Sequence, residues 1–150
     1  MFRNLLVAVD GSEHARRAVA AAGDIAGHVG AKLTLIHVLS RPGGEQVPRE
    51  LKAYNELEHI RVTEHDVIES MGREILAKAQ EQALEAGAAD VTTLLESGDP
   101  TRVIVDVARK NGIDLVVMGR RGLGDLSGLL LGSVSHKVAQ AVDCSCLTVK

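Results

Sequence analysis

Aromatic side chains are nearly missing from this 150-residue sequence, which has one phenylalanine (Phe2), one tyrosine (Tyr54) and no tryptophan. Single-stranded nucleic acid is held by stacking its bases on aromatic rings, so a stacking platform is excluded. An excess of positive charge is missing as well. Seventeen Lys and Arg stand against twenty Asp and Glu, for a formal net charge of −3. That balance gives no electrostatic reason to bind nucleic acid. Cysteines are scarce: Cys144 and Cys146 are the only two. Two reduced thiols are expected in a reducing compartment. Their i, i+2 spacing places both on one face of a strand. With no second Cys/His pair at ligand spacing, a metal site there is not expected.

Long apolar runs are missing too. None approaches the length of a membrane span, so no membrane partner is expected. Leu5 to Val9 is too short for the apolar region of a signal peptide, and Asp10 follows at once. These absences point to a cytoplasmic protein. What remains is ordinary for a globular chain, with 45% hydrophobic and 25% charged residues. The length suits a single domain over residues 1–150, with a sizeable core.

Strand and helix signals alternate along the chain. Leu5-Leu6-Val7-Ala8-Val9 is continuously apolar, as expected of a central parallel strand. Ser12 is a candidate N-cap for a helix carrying Ala15, Ala18, Val19, Ala22, Ile25 and Ala26 on one face, and Gly30 can end it. Leu33 to Leu39 is a second strand. Ser40 to Pro48 reads as a Pro/Gly loop, and about Arg49 to Ala86 as helical, with Gly72 as a bend or break and Gly87 as a stop. Val91 to Leu95 is a third strand. Asp99-Pro100 is a strong helix start, with Asn111-Gly112 as its end. Leu115 to Met118 is a fourth strand, a helix follows Gly132, and Cys146 to Val149 is a fifth strand. The fold expected is α/β with a five-stranded parallel sheet.

The chemistry concentrates at Val116-Val117-Met118-Gly119-Arg120-Arg121-Gly122, followed after nine intervening residues by Gly132-Ser133. A buried strand opens here into a glycine-punctuated loop and then a helix start. Glycines let a backbone approach a ligand closely, and successive N–H groups with a helix N-terminus make a cradle for phosphate. The Ser133 hydroxyl is placed to cap the helix or meet an anion. Two better-known phosphate motifs are excluded. Walker A needs a Lys after its last glycine, and Gly132 is followed by Ser133. The dinucleotide fingerprint follows the first strand in the order G-x-G-x-x-G, whereas Gly119, Gly122 and Gly124 give G-x-x-G-x-G late in the chain.

Asp10-Gly11-Ser12 follows the first strand. In open α/β sheets, ligands bind beyond the carboxyl ends of the strands where the strand order reverses. An order 3-2-1-4-5 brings the two motifs into one crevice. At least one of Arg120 and Arg121 is expected to face phosphate, and the sequence does not say which. Ser133, Ser135, His136 and Asp143 do not make a catalytic triad, since Ser135 and His136 are helix neighbours that do not face one another. His59 and His65, six apart, are not a metal pair.

These segments together resemble the universal stress protein family, in its ATP-binding branch. The likeness runs through Val9-Asp10-Gly11-Ser12, Leu35-Ile36-His37-Val38, Gly98-Asp99-Pro100, Asp114 to Gly119 and the Gly119, Gly122, Gly132-Ser133 spacing. The resemblance implies a Rossmann-like three-layer sandwich. It places Asp10 near the ribose and a phosphate-bound Mg or Mn ion. The Val38 backbone is implied to read the adenine edge. Gly119, Arg120 and Gly122 are implied to approach ribose and phosphates, with Gly132, Ser133 and Val134 on the phosphate tail. Ala8, Val9, Ser12 and Met118 complete the implied ATP-binding set. A homodimer through the last strand is also implied. Cys144-Ser145-Cys146 departs from a more usual Cys-Pro. The function implied is an ATP-binding stress-response or signalling switch with little or no hydrolysis, at most a slow ATPase. The alternative is an adenine-nucleotide hydrolase of the related α/β superfamily. Such enzymes normally add a substrate domain, for which 150 residues leave no room.

Overall fold

A computed structural model describes residues 1–40, 64–123 and 131–150. In chain order the elements are β1 (Asn4–Ala8), α1 (Glu13–Val29), β2 (Lys32–Leu39), α2 (Glu64–Glu85) and β3 (Asp90–Ser97). Then follow α3 (Pro100–Lys110), β4 (Leu115–Gly119), α4 (Ser133–Ala141) and β5 (Ser145–Val149). The strands form one sheet in the order β3-β2-β1-β4-β5, and every neighbouring pair is parallel. This is the order expected from the sequence.

The apolar runs are explained by burial on both sides of the sheet. Leu5, Val7, Leu33, Leu35, Leu115 and Val117 pack on one face with Val19 and Ala22 of α1 and Leu76 and Ala83 of α2. Leu6, Ile36, Val116 and Met118 pack on the other face with Ile104 of α3 and Val138 of α4. Alternate residues of one strand thus feed two cores, so β1 and β4 must be apolar at nearly every position. Cys144 and Cys146 both pack against the second core as free thiols. Burial pushes both thiols up from their ordinary range.

Local signals set most helix ends. Ser12 accepts from the Ala15 N–H at 3.2 Å and starts α1, and Gly30 ends it in the left-handed region at φ 66°. Asp99 accepts from the Arg102 N–H at 2.9 Å, with Pro100 first in α3. Two expectations need correction. Gly72 does not break α2, which is continuous from Glu64 to Glu85. The helix packs closely on the sheet there, for a Cβ would sit 2.8 Å from Leu95 and 3.0 Å from His37. Ser133 does not cap α4. Gly132 holds the cap position without a side-chain bond, and Ser133 is the first helical residue. The expected helical stretch before Glu64, with His59, lies outside the described residues, as does Gly124. His65 is exposed and lies 3.5 Å from Glu69.

Candidate functional site

The sheet order places the ends of β1 and β4 side by side, with β2 flanking β1. The chain leaves β1 toward one edge and returns to β4 on the other side, so a crevice opens where the directions part. Three links shape the β1 end. The Val9 N–H donates to the Ile36 carbonyl at 2.9 Å. His37 Nδ1 donates to the Val9 carbonyl at 2.6 Å, since a carbonyl can only accept. The Asp10 carboxylate accepts from two backbone N–H groups, Ser12 at 2.9 Å and Leu123 at 3.2 Å. Asp10 therefore ties the β1 loop to the loop leaving β4.

The β4 end is held as closely. Arg120 donates its N–H to the Val149 carbonyl and accepts the Gly132 N–H at its own carbonyl, both at 2.7 Å. The start of α4 is thereby brought back to the end of β4. Gly119 is a glycine for packing. A Cβ there would lie 2.6 Å from the His14 carbonyl carbon and 2.7 Å from the Ala15 nitrogen. The first turn of α1 lies against that position. Gly132 is different: φ −69° and ψ 159° are angles any residue adopts.

Between these segments lies a cleft of about 420 Å³, within the usual size of small-molecule sites. The β1 and β2 ends supply Ala8, Val9, Asp10 and Val38, the β4 end supplies Met118, Gly119 and Gly122, and α4 opens onto it with Gly132, Ser133 and Val134. Two members of the expected set do not line it. Ser12 is buried under the Asp10 loop as the α1 cap. Arg120 takes part through its peptide groups, and Arg121 is the arginine among the described lining residues. The cleft also has walls that sequence reasoning missed. His37, Ser135, Leu123, Pro100 and Ile104 line it, together with Ile68, Met71 and Ile75 of α2. Position next to Val38 was a usable signal for His37. Nothing in the sequence signals α2, because its place beside the cleft is a product of the fold.

The chemistry available is that of a neutral, glycine-rich cradle on an apolar floor. The first turn of α4 lines the cleft with Ser133, Val134 and Ser135, and a helix start brings N–H groups without intrahelical partners and the positive end of the helix dipole. Among the described lining residues Asp10 is the one carboxylate and Arg121 the one guanidinium. A nucleotide fits this arrangement, with apolar walls for a base and N–H groups for phosphate oxygens. Among the described residues no three His, Cys, Asp or Glu side chains come together.

Comparison with known proteins agrees with this architecture. A universal stress protein YxiE from Bacillus subtilis (strain 168) is 35% identical over 153 residues, covering all of both chains. The solved structure of universal stress protein UspA from Lactobacillus plantarum has a TM-score of 0.79 and 25% identity, covering 99% of this chain and 98% of that one. A universal stress protein crystallised in complex with cAMP has a TM-score of 0.72 and 28% identity, covering 99% and 97%. The model of the universal stress protein family matches residues 1–150 without remainder. With the 3-2-1-4-5 sheet and the glycine cradle at its switch point, the chain belongs to the universal stress protein family.

Proposed function

We propose that this protein binds an adenine nucleotide in the cleft at the carboxyl ends of β1, β2 and β4. ATP is the physiological ligand of this reading, and the protein acts as a stress-response or signalling switch in the cytoplasm. The observation that carries the reading is Gly132. Glycine is a favoured N-cap, and here the α4 cap makes no side-chain bond and lines the cleft. Leaving out a side chain there keeps the α4 N–H groups open to the cleft. The related protein crystallised with cAMP supports an adenine nucleotide as the ligand class.

Phosphates sit at the start of α4 and along Gly119 to Gly122, with Arg121 supplying counter-charge. The base lies on the apolar floor near the Val38 backbone. Any divalent ion arrives on the phosphates, as the described residues assemble no protein-held site for one. Hydrolysis is slow or absent. Both Asp10 oxygens accept backbone N–H groups, and His37 is held by its Nδ1–H on the Val9 carbonyl, which leaves Nε2 as the one ring nitrogen able to take a proton. A general base needs hydrogen-bond reach to an attacking water. The experiment is direct: purify the protein without added nucleotide, denature it, identify the adenine nucleotide released, and titrate the emptied protein with ATP and cAMP. A protein that carries none and binds none overturns the reading.

The same reading includes a homodimer through β5, which is an edge strand. Val149 turns its carbonyl toward β4, where it accepts from Arg120. Alternation along a strand then turns the N–H groups of Cys146 and Thr148 outward and that of Leu147 inward. Antiparallel pairing of two such edges closes at two subunits. Thr148→Pro removes an outward donor and is expected to give monomer by light scattering with the fold retained. A dimer unchanged by Thr148→Pro places the contact elsewhere.

A further inference from the structure

We propose that Ser135 is a positioning residue for the phosphate loop: its hydroxyl and the Gly132 N–H meet at the Arg120 carbonyl and close the base of that loop. This rests on the nucleotide reading above. Ser135 is 5% exposed, and Ser12 is the only other buried polar side chain among the described residues. Its Oγ lies 3.0 Å from two carbonyls, those of Arg120 and Gly132. A hydroxyl has one proton, so the two acceptors compete for it. Bonding back to Gly132, three residues earlier, is the ordinary habit of a helical serine. The Arg120 carbonyl is another matter. It stands fifteen residues earlier, at the end of β4, and already accepts from Gly132.

Two donors from the first turn of α4 thus converge on one carbonyl. The point where the chain leaves β4 and the point where it enters α4 become a single fixed base. A phosphate gripped by this loop needs groups from both ends at once: Arg121 and Gly122 from one, Ser133 and Val134 from the other. With the base closed beforehand, those groups are held in place before the ligand arrives. With it open, binding must supply the ordering entropy, and affinity falls. Asp10 makes a matching tie on the β1 side through the Leu123 N–H. The base of the loop is therefore held to two different strands of the sheet.

The role separates phosphate binding from base binding, and the test uses that. Ser135→Ala is expected to lower ATP affinity about tenfold, the scale of one net hydrogen bond. It should leave the affinity for adenosine, which has no phosphate, unchanged. Ser135→Thr keeps the hydroxyl and is expected to restore ATP binding. Amide hydrogen exchange gives a second readout that needs no ligand. In Ser135→Ala the Gly132 amide should exchange faster, while the His136 amide, bonded within α4 to the Gly132 carbonyl, should not change. ATP binding equal to wild type, equal losses for ATP and adenosine, or unchanged Gly132 exchange would each overturn the proposal. Wild-type protein that binds no adenine nucleotide overturns the nucleotide reading instead, so the two failures are distinguishable.

Discussion

Gly119 and Gly132 belong to one motif and do opposite jobs. At Gly119 the missing side chain is required by the protein itself, since the backbone of His14 and Ala15 occupies the place of a Cβ. At Gly132 the backbone angles are those of any residue, and the glycine lines the cleft. One glycine lets a helix touch a strand. The other lines the cleft at the start of a helix. A sequence motif records both as the same letter, so conservative reasoning about "glycines of the loop" merges a packing requirement with a binding requirement. Substitution separates them.

The largest effect is expected at Gly119. In Gly119→Val the new atoms meet main chain rather than a flexible side-chain tip, so relief requires α1 to move. The cost should match or exceed the upper end of ordinary overpacking, about 3 kcal/mol. For a chain of this size that is a fall in Tm of roughly 10 °C. Calorimetric melting checks it, and a Tm near wild type would mean that α1 yields easily and the contrast is false.

Gly132→Val should show the reverse pattern. Fold and Tm stay near wild type, because the angles suit an L residue, while ATP affinity falls by more than about tenfold as the side chain fills space needed by phosphate oxygens. Titration calorimetry beside thermal melting measures both. Loss of stability without selective loss of binding would make Gly132 a second packing glycine.

Asp10→Ala sharpens the comparison from the β1 side with a smaller effect. The carboxylate accepts two backbone N–H groups and so acts as a tie between loops. Its removal should weaken ATP binding by about three- to tenfold, by the scale of a lost hydrogen bond or two. The loss should be the same with and without Mg²⁺. A loss confined to Mg²⁺-containing buffer would make Asp10 a metal ligand after all, as the family resemblance implies.

Much of the fold was legible because central strands of a parallel sheet are apolar on both faces, and β1 and β4 read as unbroken runs. Ser12, Gly30, Asp99-Pro100 and Asn111-Gly112 marked helix ends for local reasons that survive in the tertiary structure. The interior of α2 was harder. Gly72 carries the local signature of a helix breaker, and only the neighbouring Leu95 and His37 show that it marks close packing instead. In the site, the glycine spacing and Asp10 were visible because a backbone cradle needs those residue types. His37 and Ser135 were not, because a histidine or serine acquires its role from which carbonyl it reaches. The choice between Arg120 and Arg121 lay beyond the sequence for the same reason. Adjacent residues at a strand end point in different directions, and it is Arg121 that lines the cleft.

The sequence by itself determined the alternation of elements, the two-sided apolar character of the sheet and the glycine-rich segment that follows β4. These follow from local propensity, capping chemistry and hydrophobic period, all of which act between near neighbours in the chain. Only the tertiary structure decided that the loop is closed at its base by Gly132 and Ser135 on the Arg120 carbonyl. It also decided that Asp10 ties β1 to the β4 loop and that α2 walls one side of the cleft. Those contacts join residues far apart in sequence, and their geometry depends on strand order and register, which no local preference encodes.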